Sequence, residues 1–118
     1  MSTVAYKLVD AAEWRAARAA GAYEGSAVDR ADGYIHMSTA EQLVETGRRH
    51  YAGREGLLLV EVALDGLGAA LRWEPSRGGE LFPHLYAPLP LGAARGEREL
   101  AVDSEGRPRF ADGATQWP

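Results

Sequence analysis

The order in which helical and extended patterns alternate is what most constrains this chain. The first fifty residues read strand, helix, strand, helix, and everything after Gly56 reads as short extended runs joined by turns. A β–α–β–α opening alone is compatible with a parallel, doubly wound sheet. A second half made only of strands with short connections is not, because parallel neighbours need long crossovers. The pattern predicts an α+β fold with mostly antiparallel pairing and two N-terminal helices. At 118 residues it predicts one domain, 1–118, with its core between about residues 4 and 102.

The elements follow in order. Val4 to Val9 reads as a strand with Tyr6 and Leu8 on one face. Asp10 then starts a helix, with Glu13 at capping-box spacing, Trp14 as core anchor and Gly21 just past the end. Residues 21–33 read as a loop carrying Tyr23, Ser26, Asp29, Arg30 and Asp32. It is either a solvated connector or a cleft wall whose Ser26 and Asp29 bond sugar hydroxyls. Asp32-Gly33 marks a turn, and Tyr34-Ile35 favours a strand. Ser38 or Thr39 is placed to cap the next helix, with Glu41 three residues after Ser38 at capping-box spacing. His36 therefore falls at a strand end, just before a helix start.

The second helix is expected over residues 39–51, with Leu43, Val44 and Gly47 inward. Arg48, Arg49 and His50 occupy its last turn, where they complement the helix dipole or contact phosphate. Leu57 to Leu64 is the strongest strand and is expected at the centre of a sheet. Leu71 to Pro75 reads as a short strand. Pro83 makes Leu81 to Tyr86 an edge segment, since proline has no N–H to donate. Glu97 to Val102 and Arg109-Phe110 close the list of strands. The last eight residues are expected to be loosely ordered unless Trp117 docks.

Composition narrows the function classes. The net charge of −4 argues against a dedicated nucleic-acid binder. With no cysteine there is no disulfide, thiolate metal site or cysteine nucleophile. The N-terminus shows no signal-like apolar segment, and no run approaches the roughly 18–20 residues of a membrane span. A cytoplasmic protein without membrane partners is the expectation, and its oligomeric state is left open. Phosphate-binding GxGxxG and GxxxxGK[ST] motifs and a GxSxG nucleophile motif are absent.

What chemistry there is centres on His36 and His84, both in short aromatic-flanked segments. Arg72 and Glu74 share a strand face, as a surface ion pair or as a cation and carboxylate beside His84. A zinc site built from His36, His84 and Glu74 or Asp32 is the less favoured reading, because no local ligand pair of the HxH or HExxH kind exists. No metal is assigned.

Three blocks carry a family resemblance: Tyr6-Lys7-Leu8 with Trp14 and Gly21; Gly25-Ser26, Asp29 and Asp32-Gly33-Tyr34-Ile35-His36-Met37-Ser38-Thr39; and Arg72, Glu74 and Phe82-Pro83-His84-Leu85-Tyr86. Together they resemble the DUF952 family of bacterial proteins. The first forty residues are also similar in layout to the ADP-ribosyltransferase fold, and especially to its RNA 2′-phosphotransferase branch. That likeness implies a small split sheet in which Tyr6 to Leu8 and Tyr34 to His36 face each other across an NAD-binding cleft. The histidine usual on the first strand of that fold is replaced here by Tyr6-Lys7-Leu8.

The expectation is thus a domain binding NAD or a related phosphorylated nucleotide, as an ADP-ribosyl or phosphoribosyl transfer enzyme. NAD would be a substrate, and no cofactor is assigned. His36, Glu74 and His84 are the candidate catalytic residues. Tyr6, Ser26, Asp29, Tyr34, Ser38, Arg72 and Tyr86 are the candidate substrate contacts. The alternative is a non-catalytic module for a small ligand or partner, with structural histidines.

Overall fold

A computed structural model describes residues 3–118. It is an α+β fold with antiparallel pairing throughout its named strands. Nine strands (β1 Val4–Asp10, β2 Ala22–Tyr23, β3 Ile35–His36, β4 Leu57–Ala63, β5 Leu71–Pro75, β6 Leu81–Leu85, β7 Leu89–Pro90, β8 Ala94–Val102, β9 Pro108–Phe110) and three short helices (α1 Ala11–Ala20, α2 Ala27–Asp32, α3 Leu43–Thr46) are described. None of these helices is long and apolar enough to cross a membrane.

The main sheet runs β1-β4-β8-β9, and a second runs β3-β6-β5. β4 is central, as its apolar run predicts, and the run is continuous because both faces are covered. Leu58, Val60 and Val62 join Ala5, Val9 and Trp14 in one core. Leu57 and Leu59 join Leu8, Leu43, Leu100 and Phe110 in the other. Trp14 is fully buried on α1, and truncating it to alanine would cost roughly 3–5 kcal/mol. That helix starts on Asp10, whose carboxylate accepts from the Ala12 and Glu13 amides, and ends on Gly21 at φ 90°.

Four local expectations need correction. The loop expected over residues 21–33 contains β2 and α2. Ser26 caps α2 through a reciprocal bond with Asp29, a capping box with aspartate in the place of the usual glutamate. Of the two residues expected to cap, Ser38 forms no such pair with Glu41; Thr39 makes a reciprocal one with Gln42, its Oγ1 accepting from the Gln42 amide and its amide donating to Gln42 Oε1, in the turn ahead of α3. The second helix is correspondingly short: α3 holds four residues and continues as a wider π-helical turn, Gly47–Tyr51. Leu43 and Gly47 are buried, but Val44 is exposed.

The fourth correction concerns Pro83, which lies in the middle strand of the second sheet rather than at an edge. Its carbonyl accepts from the Met37 amide at 3.1 Å, extending the β3–β6 ladder by one bond. A residue with an N–H would return that bond. Proline cannot, and the ladder stops. The chain then leaves this sheet, and Ser38 pairs with Tyr6 of β1 through two backbone bonds of 2.7 and 2.9 Å. This bridge joins the two sheets. At the C-terminus Trp117 docks edge-on to Phe110 and against Gly47, so the packed structure extends beyond residue 102.

Candidate functional site

A cavity of about 580 Å³ opens where the sheets part. Tyr6, Lys7 and Leu8 of β1 line one side, with His36, Met37, Ser38, Phe82 and His84 from β3, its extension and β6. Glu13 of α1, residues of α2, α3 with its π turn, Arg54, and the turn after β5 complete it.

Asp29 organises the wall at α2. It is 2% exposed, and five contacts converge on its carboxylate. The Ser26 amide donates at 2.9 Å and the His36 amide at 3.1 Å. His36 Nδ1 lies 2.6 Å away, and Lys7 Nζ reaches both oxygens at 3.1 and 3.0 Å. Burial alone would raise this carboxyl. The His36 ring bond, the Lys7 charge and the backbone amides outweigh it and hold Asp29 well below the usual carboxylate range. Lys7 is pulled down by burial, against the charge of Asp29. Gly25 makes the approach possible, since a Cβ there would stand 2.7 Å from Asp29 Cβ on a backbone with φ 102°.

His36 is held on its other side by Asp32, whose Oδ2 is 2.9 Å from Nε2. A carboxylate accepts and cannot donate, so both contacts are hydrogen bonds only when the ring carries both protons. His84 is arranged differently. It is 3% exposed, and its Nδ1 is 2.9 Å from Glu74 Oε1. Tyr86 donates to the same oxygen at 2.7 Å, and these two bonds lower the Glu74 carboxyl, Tyr86 first. An ionised Glu74 requires Nδ1 to carry the hydrogen, which leaves Nε2 of a neutral ring as an acceptor. No partner for Nε2 is found among the described residues.

Tyr34 stands among the rings, with centroids 4.2 Å from His84, 4.5 Å from His36 and 5.1 Å from Tyr86. The Arg72 guanidinium lies 4.5 Å over Tyr86. Tyr34, Tyr86, Arg72 and Glu74 therefore form a stacked column beside the cavity, not on its lining. The anticipated Arg72–Glu74 ion pair does not form among the described residues; each is engaged within the column instead. Of the anticipated contacts, Tyr6, Ser26, Asp29, His36, Ser38 and His84 do line the cavity. Ser26 and Asp29 are committed to the cap and to Lys7, and Ser38 Oγ to Thr46 Oγ1 at 2.9 Å.

Arg54 and Arg77 were not placed in the cavity by sequence; Lys7 stood within the Tyr6 to Leu8 segment expected to face the cleft and His50 among the residues offered to phosphate, but neither was named as a site residue. The one signal for Lys7 is a charge on the strand face shared with buried Ala5 and Val9. Its partner stands 22 residues away, where no local pattern reveals it. Among the described residues, no group of three or more metal-ligating side chains is arranged to hold a metal ion.

A family model described as a protein of unknown function, DUF952, matches residues 8–96. The chain belongs to the DUF952 family. Its fold is similar to that of protein CC0527 from Caulobacter crescentus. The crystal structure of that protein is 48% identical in sequence with a TM-score of 0.85, over 90% of this chain and 93% of that one. The solution NMR structure of CC0527 aligns with a TM-score of 0.76 at 46% identity, over 95% of this chain and 90% of that one. No curated protein matches.

Proposed function

We propose that this DUF952 domain binds NAD or a related phosphorylated nucleotide in the cavity between its four-stranded and three-stranded sheets, in the manner of an ADP-ribosyltransferase-like fold. The observation that carries the reading is the Tyr6–Ser38 bridge. It sets β1 beside the extension of β3 at the point where the sheets diverge, with Lys7 and His36 flanking it. The cavity volume falls within the range usual for small-molecule sites, roughly 300–1,000 Å³. His84 Nε2 is the acceptor suited to a ribose hydroxyl, and such a group can also serve as a general base in transfer. Glu74 acts through His84 as a positioning residue, because it fixes the tautomer without lining the cavity.

The test is titration of NAD into labelled protein. Amide and imidazole shifts at His36, Ser38 and His84 are expected to move together at sub-millimolar to millimolar NAD. No movement there at millimolar NAD would overturn the reading. Nicotinamide release lost in His84→Ala would establish turnover of NAD at this site, and recovery of the ADP-ribosyl group on an acceptor other than water would establish transfer.

One observation favours the alternative of a binding module without turnover. Both ring nitrogens of His36 are already taken by protein carboxylates. That reading expects NAD-dependent shifts with no nicotinamide release.

A further inference from the structure

Charge is unevenly distributed around the cavity. Glu13, Asp29 and Asp32 line it together with Lys7 and His36, and on that wall Lys7 is paired with Asp29 and the His36 ring nitrogens lie against Asp29 and Asp32. At the end of α3, the π turn and the turn after β5, the lining residues are Thr46, His50, Tyr51, Ser76 and Arg77. The nearby carboxylate, Glu45, is occupied by Arg48 at 2.6 Å and by Arg49 at 2.8 Å. Arg77 has no carboxylate within ion-pair distance among the described residues. It is nevertheless held in place: its guanidinium lies 4.8 Å over the Phe82 ring and donates to Thr46 Oγ1 at 3.3 Å. A positioned arginine whose remaining donors lack a carboxylate is suited to a phosphate, which it can grip through two parallel bonds.

We propose that Arg77 and His50 form the phosphate subsite of this cavity, with Thr46 holding the Arg77 guanidinium in place, and that they take the diphosphate of the bound nucleotide while its ribose lies toward His84. The assignment of this end rests on the nucleotide reading above. Desolvation, then the charges of Arg77 and Arg49, push the His50 imidazole below its ordinary value, and the more distant His36 adds to this. A bound diphosphate reverses the sign of that field, so His50 takes up a proton on binding.

The experiment uses inorganic pyrophosphate, ADP, adenosine and NAD with wild type, Arg77→Gln, Arg77→Lys and Arg95→Gln. Arg95 lies exposed on β8 and is not part of the cavity lining, so its variant controls for net charge. Pyrophosphate is expected to shift the amides of Thr46, His50 and Arg77 and to move the His50 ring titration to higher pH. Arg77→Gln should weaken pyrophosphate and ADP roughly ten- to hundred-fold and leave adenosine unchanged. Arg77→Lys should fall between, and Arg95→Gln should stay within about two-fold.

Equal weakening in Arg77→Gln and Arg95→Gln, or an unmoved His50 titration at saturating pyrophosphate, would overturn the subsite. If NAD shifts His36 and His84 but binds Arg77→Gln as tightly as wild type, the subsite fails and the nucleotide reading stands. If pyrophosphate binds through Arg77 while NAD moves nothing at His36 or His84, the subsite stands as an anion site and the NAD reading fails.

Discussion

Replacing Asp29 by asparagine keeps the shape of the side chain and removes its charge. The Lys7 ammonium, 5% exposed, then loses the carboxylate that contacts it at 3.0 and 3.1 Å. Removing one partner of a buried ion pair costs roughly 3–5 kcal/mol, because the remaining charge is left desolvated. For a domain of this size that corresponds to a fall of roughly 12–20 °C in melting temperature. Burial already lowers Lys7, so the variant can escape part of the penalty by releasing a proton. The sign follows from proton counting: the unfolded chain holds this proton more tightly than the folded one, so stability rises with pH. Asp29→Asn should therefore recover relative to wild type as pH rises toward the unfolded lysine value near 10.4. Adding Lys7→Met removes the stranded charge and should restore about 2 kcal/mol or more at pH 7. Urea unfolding of the four members of this double-mutant cycle measures each quantity. An Asp29→Asn cost below about 1 kcal/mol, or a cost unaltered by Lys7→Met, would refute the claim that this pair is electrostatically coupled and dry.

Further outcomes follow from the same geometry. The folded-state value of Asp29 is depressed, so its stabilisation is complete above the unfolded value near 3.9 and is lost as pH falls toward the folded value. Wild-type melting temperature should drop more steeply between about pH 5 and pH 2 than that of the Lys7→Met, Asp29→Asn double variant, and parallel curves would contradict this. Gly47 has helical dihedrals, so alanine there brings no backbone strain; its Cβ would stand 2.5 Å from Trp117 Cζ2. Gly47→Ala should cost roughly 1–3 kcal/mol by displacing the indole. The shift of the Trp117 indole N–H resonance reports that displacement, and most of the cost should vanish in a Trp117→Ala background.

The main sheet was legible because its signals are local. Alternation, the apolar run of β4 and the Asp10 and Gly21 caps each act within a few residues. α2 was hidden by its length: six residues give no helical period, and only the Ser26–Asp29 spacing announces it. Pro83 misled because an absent N–H excludes a strand centre only when both flanking strands continue past it, and β3 ends there. The histidines were legible as chemistry, and His36 opposite His84 is an observed strand pair. Their partners were not. Asp29 and Glu74 meet the rings by way of tertiary packing, and Lys7 and Arg77 enter the cavity from segments whose sequences read as plain strand and polar loop.

The Asp29 carboxylate also bears on an open edge of the second sheet. β3 is an edge strand, paired only with β6, and the His36 amide lies on its open side. An unpaired edge N–H invites a strand from another molecule. Asp29 accepts that hydrogen at 3.1 Å, supplying from a side chain what a further strand would supply from its backbone. The residue that holds the buried lysine is therefore also the one that blunts a sticky sheet margin, so losing it exposes the chain to strand-to-strand self-association as well as to unfolding.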